Sequence, residues 1–289
     1  MSGRKSEIFI EAPAKINLFL EVTGRRGDGY HEIDTVMQTV RYADKLNISY
    51  DPEGEGIFLT CNRRYIPTDS GNIAWRCAEE FLRATGKSGR VEIHIEKRIP
   101  VAAGLGGGSS DGAAVLKALN RLTGAGLGRE ELAALSAPIG ADIPFCVRGG
   151  CARATGIGEI FSHASPLSGV ELVIAIGGRG SSTPEAYRLL DESGYGGQRT
   201  ADGMLAALSA GDRAAVYAEM YNAFEDVIIA NNREIGTLKE KMLENGARAA
   251  LMSGSGAAVY GIFESKRAAR AACRALRESG CFAVVAQPA

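Results

Sequence analysis

Eleven consecutive residues, Pro100, Val101, Ala102, Ala103, Gly104, Leu105, Gly106, Gly107, Gly108, Ser109 and Ser110, join a glycine cluster to two hydroxyls and run into the helix-forming segment Asp111–Asn120. Glycines let a backbone turn at positive φ and come close to a ligand. Hydroxyls bond oxygens or a metal, and the amino end of a helix offers N–H groups that favour anions. The pattern predicts a phosphate cradle. A surface turn with a serine N-cap would explain one glycine and one serine, but not the run from Gly104 to Gly108. The cradle is neither of the two commonest kinds. A G-x-G-x-x-G fingerprint starting at Gly104 fails at Ser109, and no Walker lysine follows the glycines. Gly86-Lys87-Ser88 imitates the end of a Walker motif, yet Phe81 stands where that motif needs glycine.

Five other groups could carry chemistry. Lys15 and Asn17 are two apart in a strand-like run, so they share one face and can point together into a cavity, although the polar face of a solvated edge strand would look the same. Asp142 lies among Ile143, Pro144 and Phe145, where a carboxylate is costly unless paired; a helix N-cap is the other reading. Tyr30 and His31 leave the turn Gly24–Gly29, an ordinary hairpin signal. An aromatic face with an imidazole could also stack on and bond to a flat heterocycle, with stacking worth ~1–3 kcal/mol per base. Thr183, followed by Pro184 and Tyr187, reads as the N-cap of a helix. The run Met252–Gly256 reads as a tight glycine turn between two strands.

The elements that must position these groups are legible from periodicity. Strands are expected over Ile8–Ile10 and Ile16–Val22, and Lys45–Tyr50 is expected to form a hairpin with Gly56–Cys61. A helix over Asn72–Ala84 and a strand over Arg90–Glu96 lead into the glycine loop. The loop around Pro166, Ser168 and Gly169 marks a boundary between domains 1–165 and 166–289. Beyond it, helices alternate with strands in a way that predicts α+β, helices stacked on a small antiparallel sheet.

At 289 residues and 45% hydrophobic content the chain can bury one large core or two smaller ones. Its 33 basic and 34 acidic residues leave a formal charge of −1, so no global field recruits nucleic acid or an anionic membrane, and an anionic ligand must be held locally. Six cysteines without a C-x-x-C pair, and three histidines far from them in sequence, argue against a zinc site. No run reaches the length of a membrane span and no export signal is evident, so a cytoplasmic protein with reduced cysteines is expected.

Taken together and in order, Pro13–Leu18, Pro100–Ser110 with Asp111, Gly140–Phe145 and Ser253–Gly256 resemble the motifs of the galactokinase, homoserine kinase, mevalonate kinase and phosphomevalonate kinase (GHMP) superfamily. Within it, Gly27–His31 and the triple glycine before Ser109 resemble the branch that phosphorylates 4-diphosphocytidyl-2-C-methyl-D-erythritol. The resemblance covers nearly the full chain, from about Ala12 to Phe263. It implies a two-domain α+β fold: an N-terminal β-rich α/β domain like domain 2 of ribosomal protein S5, and a C-terminal ferredoxin-like domain. It also implies an ATP-dependent kinase, assisted by Mg2+, acting on the 2-hydroxyl of a small molecule with a cytidine diphosphate group, in the non-mevalonate route to isoprenoid precursors.

Residue by residue, the resemblance implies Lys15 and Asp142 as the catalytic pair and Pro100–Ser110 as the ATP loop. Asn17 lies on the substrate side, Tyr30 and His31 contact cytosine, Thr183 stands beside the catalytic pair and Tyr187 covers the other face of the base. Gly112 departs from a common alanine and is expected to loosen the helix start. Two alternatives stay open: another small-molecule kinase of the superfamily, against which Tyr30 and His31 argue, and a non-catalytic nucleotide-binding protein, against which the retention of Lys15 and Asp142 argues.

The chemistry is intelligible in these terms. An alcohol attacking a phosphoryl group passes a loose transition state, so positioning and electrostatics dominate. A carboxylate that accepts the hydroxyl proton contributes about 10²- to 10⁴-fold, and Asp142 is the candidate. An ammonium ~4 Å away would keep it ionised, by ~1 kcal/mol in water and ~4 kcal/mol at an effective dielectric of about 20. Lys15 is the expected partner.

Overall fold

The computed structural model describes residues 5–178, 180–194 and 199–289. By contact the chain forms two compact units. One comprises the chain up to Ala14, Tyr42–Val101 and Gly106–Gly149; the other comprises Lys15–Arg41, Ala102–Leu105 and Gly150–Ala289. The units interleave along the chain, whereas a boundary at 165/166 follows it linearly.

Two long strands, β1 (Ser6–Arg25) and β2 (His31–Asp51), each contribute residues to both units. In the first unit they are followed by β3 (Gly56–Cys61), α1 (Ile73–Thr85) and β4 (Arg90–Glu96). The expected hairpin between Lys45–Tyr50 and Gly56–Cys61 does not form. β4 lies between the two, antiparallel to β2 with Lys45 opposite Glu96, and parallel to β3 with Gly56 opposite Arg90. Burial explains the order. Val91, Ile93 and Ile95 of β4 are all buried, which suits a central strand, while Gly56, Phe58 and Thr60 of β3 are exposed, which suits an edge. α1 supplies the crossover that a parallel pair requires.

α1 starts where Asn72 Oδ1 accepts the Ala74 N–H at 2.9 Å. It buries Ala74, Cys77, Ala78 and Phe81, the i, i+3, i+4, i+7 stripe of an amphipathic helix. It stops at Gly86, so the Walker-like Gly86-Lys87-Ser88 is a helix terminus. α1 packs on α2 (Gly107–Thr123), which in turn contacts α3 (Arg129–Ser136) and α4 (Ile143–Arg148).

In the second unit β1 lies between β2 and the short β8 (Tyr221–Asn222), to which it is parallel at Phe19 and Leu20. β5 (Cys151–Thr155) runs antiparallel to β2, with Thr35 opposite Ala154, and β6 (Ile160–His163) continues from β5. A four-stranded antiparallel sheet follows, in the order β11 (Phe282–Ala286), β7 (Glu171–Ile176), β10 (Ala258–Phe263), β9 (Ala249–Met252). α9 (Arg233–Glu244) and α10 (Lys266–Glu278) pack on it through Leu238, Met242, Ala272 and Leu276. α5 (Thr183–Ser193), α6 (Asp202–Ala210), α7 (Arg213–Glu219) and α8 (Glu225–Asn231) complete the unit. Among the described residues no helix is long and apolar enough to cross a membrane.

Candidate active site

The phosphate segment is more helical than its composition suggests. α2 begins at Gly107, with Gly106 as N-cap at φ 66°, so Gly107, Gly108, Ser109 and Ser110 are its first turn rather than loop. The first internal bond runs from the Ser110 N–H to the Gly106 carbonyl at 2.8 Å. Gly106 has no side chain to offer, and no side-chain cap is present. The N–H groups of Gly107, Gly108 and Ser109 therefore precede the hydrogen-bonded ladder, at the positive end of a seventeen-residue helix. Free N–H groups at such a helix end favour an anion.

The glycines serve different ends. Gly104 has φ +76°, and a Cβ there would sit 1.9 Å from the Ser253 carbonyl oxygen, so any other residue would displace the turn after β9. A Cβ on Gly107 would meet Ile99 at 3.0 Å and Lys97 Nζ at 3.1 Å. Gly108 is exposed, and a Cβ there would meet only Ile73 at an ordinary 3.4 Å. Packing does not require glycine at 108.

Ala103 and Leu105 are buried anchors, and their carbonyls accept the N–H groups of Ala258 and Lys15. Pro100 is half-buried, Val101 is exposed, and Ala102 is held at φ +52°, a strained value for a residue with a Cβ. The two hydroxyls also divide. Ser110 Oγ is buried and donates to the Pro13 carbonyl at 2.7 Å, while Ser109 is half-buried and better placed to meet a ligand.

Lys15 and Asn17 share a face, as their spacing predicts: Lys15 Nζ donates to Asn17 Oδ1 at 2.8 Å. The solvated-edge alternative is wrong, because both side chains are buried. Asn17 Nδ2 donates to Thr35 Oγ1 at 2.9 Å, and Tyr260 donates to the Asn17 carbonyl, so the asparagine is fixed from both sides. Gly254 of the Ser253–Gly256 turn faces the ammonium, since a Cβ there would lie 3.6 Å from Lys15 Nζ. Asn222 Nδ2 braces that turn through the carbonyls of Met252 and Gly254, and Ser253 Oγ donates to the Gly104 carbonyl.

Tyr30 ends the hairpin turn between β1 and β2 and is 61% exposed, an aromatic face open to a ligand. His31 is buried, with Nε2 hydrogen-bonded to Asp191 Oδ1 at 2.8 Å. Its ring is stacked on Tyr187, centroids 4.3 Å apart at 16°, and Tyr187 meets the edge of Phe224. No base can lie between His31 and Tyr187 in this arrangement. Thr183 is not the N-cap of α5. Ser182 is, its Oγ accepting the Glu185 N–H at 3.3 Å, and exposed Thr183 is the first helical residue. Both hydroxyls suit a cap, and the extended backbone at Ser182 decides between them.

Asp142 stands at the N-cap position of α4, but its side chain makes no capping hydrogen bond. The cap reading is right about position and wrong about what the carboxylate does. Sequence reasoning missed Asp44, Lys97, Asp191 and Asn222. Their partners are distant in the chain, 160 residues apart for Asp191 and His31, so no local pattern marks them.

Comparison with known proteins adds the lineage. The GHMP kinases N terminal domain matches residues 72–150, and the GHMP kinases C terminal domain matches residues 204–280. The chain is 41% identical to the 4-diphosphocytidyl-2-C-methyl-D-erythritol kinase of Alkaliphilus metalliredigens (strain QYMF), across 92% of this chain and 91% of that relative. With the enzyme of the same name from Shouchella clausii (strain KSM-K16) it shares 43%, across 89% and 86%. The chain belongs to the 4-diphosphocytidyl-2-C-methyl-D-erythritol kinase family. A crystal structure of a kinase with that substrate in its name superposes with a TM-score of 0.82 at 37% identity, covering 97% of this chain and 99% of that one.

The two-domain α+β GHMP kinase fold expected from the sequence is therefore present. In this family member Gly112 does not loosen a helix start. It is the sixth residue of α2, and a Cβ there would lie 2.7 Å from Cys77 Sγ and 3.0 Å from Ile73, so glycine is what lets α1 and α2 approach.

Proposed function

We propose that this chain transfers the γ-phosphoryl group of ATP to the 2-hydroxyl of 4-diphosphocytidyl-2-C-methyl-D-erythritol, giving the 2-phosphate and ADP in the non-mevalonate route to isoprenoid precursors. One observation carries the reading: over nine-tenths of its length the chain follows relatives that bear this acceptor in their name. The uncapped amino end of α2 suits the triphosphate, with Pro100–Ser110 as its loop. Among the described residues no group of three or more His, Cys, Asp or Glu is arranged to hold a metal. A Mg2+ ion accompanying ATP would find the half-buried Ser109 hydroxyl, in the first turn of α2, available to help hold it. The ion would neutralise charge on the transferring group.

In this reading Asp142 accepts the proton of the 2-hydroxyl, and Lys15, oriented by Asn17, offsets the charge that develops there. Tyr30 stacks on cytosine and His31 bonds to it. Tyr187 supports His31 from behind, and Thr183 contacts the acceptor. Along the chain, residues 1–165 carry the ATP loop and the catalytic pair and residues 166–289 the second kinase domain, although by contact Lys15–Arg41 and Ala102–Leu105 group with the latter. The partner is a small molecule, not nucleic acid or membrane. The six free cysteines suit the cytoplasm.

The test is incubation with Mg-ATP and the cytidylyl acceptor, followed by ³¹P NMR for the 2-phosphate. Asp142→Asn is expected to bind ATP and to lose about 10²- to 10⁴-fold in single-turnover rate. A rate near wild type would remove Asp142 from the role of base.

A further inference from the structure

Lys97 follows β4 directly and is 5% exposed. Its ammonium is held between two carboxylates, 2.5 Å from Asp44 Oδ2 and 2.6 Å from Asp111 Oδ2. The other oxygen of Asp44 accepts the N–H groups of Arg98 at 2.5 Å and Ile99 at 2.8 Å. Asp111 belongs to α2, one turn beyond Gly107, and Lys97 Nζ also lies against Gly107 itself. One buried network therefore fastens the chain entering the glycine segment, residues 97–99, to the first turns of the helix leaving it.

Burying an ammonium with two carboxyl groups is expensive. Well-packed apolar residues of the same volume often do as well or better for stability. The network is also incomplete, since Asp111 Oδ1 is buried without a hydrogen-bond partner. Its geometry fits orientation better than stability: a hydrogen-bonded ammonium fixes angle and register where a methyl group would slide.

We propose that Asp44, Lys97 and Asp111 are positioning residues that set the amino end of α2 for the nucleotide triphosphate. The inference rests on the reading of that helix end as the nucleotide site. None of the three touches the reacting atoms. They act by holding the N–H groups of Gly107, Gly108 and Ser109 in the orientation that receives phosphate oxygens, so disturbing them weakens nucleotide binding and spares the acceptor.

Asp111→Ala separates this from a structural role, because it leaves Lys97 and Asp44 as a neutral pair and puts a good helix former in α2. By titration calorimetry with Mg-ATP alone, the dissociation constant is expected to rise about tenfold, equivalent to ~1.4 kcal/mol. The KM for the cytidylyl acceptor should stay within about twofold, well inside that span. Asp111→Asn keeps an acceptor for Lys97 and should return ATP affinity to within about threefold of wild type. Unchanged ATP affinity in Asp111→Ala overturns the proposal. So do equal losses for ATP and acceptor that track a falling Tm, the mark of a structural role, and an asparagine variant as weak as the alanine one. Calorimetry with Mg-ATP needs no acceptor, so a failure of phosphoryl transfer to the cytidylyl compound and a failure of this proposal are separate results.

Discussion

Asp111 holds its proton to higher pH than an exposed aspartate does. Burial, reinforced by the neighbouring Asp44, pushes its carboxyl from the ordinary 3.8 up to about 7, against the opposing pull of Lys97. The folded chain then holds more protons than the unfolded one between these two values, so this carboxyl lowers stability as pH rises through the interval, with no further loss above about 7. Asp111→Asn does not titrate. Its Tm relative to wild type should accordingly improve from about pH 4 to about pH 7 and stay level above that. Thermal melts at several pH values read this directly, and a difference that stays constant with pH would place the proton elsewhere.

The same residue shows how far single positions are legible in a sequence. The shared face of Lys15 and Asn17 follows from a period of two, and the helix end beside Ser109 from glycine and hydroxyl chemistry. That Asp111 meets Lys97 and, through it, Asp44 depends on a pairing 53 residues apart, for which one sequence has no signal. Likewise the aromatic residues Tyr30 and Tyr187 are recognisable as ring systems, but the stacking of Tyr187 on His31 is decided by where α5 packs.

At the scale of elements, α1 and α2 show packing overriding propensity. Replacing Gly112 by alanine should gain ~1 kcal/mol of helix propensity. The added Cβ would, however, lie 2.7 Å from Cys77 Sγ, which is so deeply buried that its thiol is pushed up to about 12. Overpacking of this kind typically costs ~1–3 kcal/mol. Gly112→Ala is therefore expected to lower stability by ~1 kcal/mol on balance. Removing the sulfur in Gly112→Ala/Cys77→Ala should make the pair less damaging than the sum of the two single changes. Urea unfolding of the four proteins measures the coupling, and strict additivity would mean that the helices move apart freely. Strand existence was readable from alternation, as β4 shows. Strand order was not, because a turn signal after Asp51 fits a hairpin as well as a chain that leaves for a crossover; the deeper burial of β4 settles the matter only in three dimensions.

For the whole molecule, composition set limits that local motifs could not. The near balance of 33 basic and 34 acidic residues means that an anionic nucleotide is held by contact groups rather than drawn in by a general field. The interleaving of 15–41 with 150–289 escaped a linear reading, since composition changes along the chain mark loops and carry no record of which distant strands pair. One surface departs from the even balance: α10 exposes Lys266, Arg267, Arg270 and Arg274. If function rests on the N–H groups of α2, that basic stripe is a solvated face and contributes little to binding. The Debye length is already ~10 Å at about 0.1 M salt, so distant charges are screened while groups in contact with phosphate are screened much less. Raising NaCl from about 50 to about 200 mM should then lower kcat/KM for ATP by less than about threefold, and Arg270→Glu/Arg274→Glu should leave that dependence unchanged. A loss of about tenfold or more, abolished in the charge-reversed variant, would show instead that α10 steers the nucleotide toward the protein.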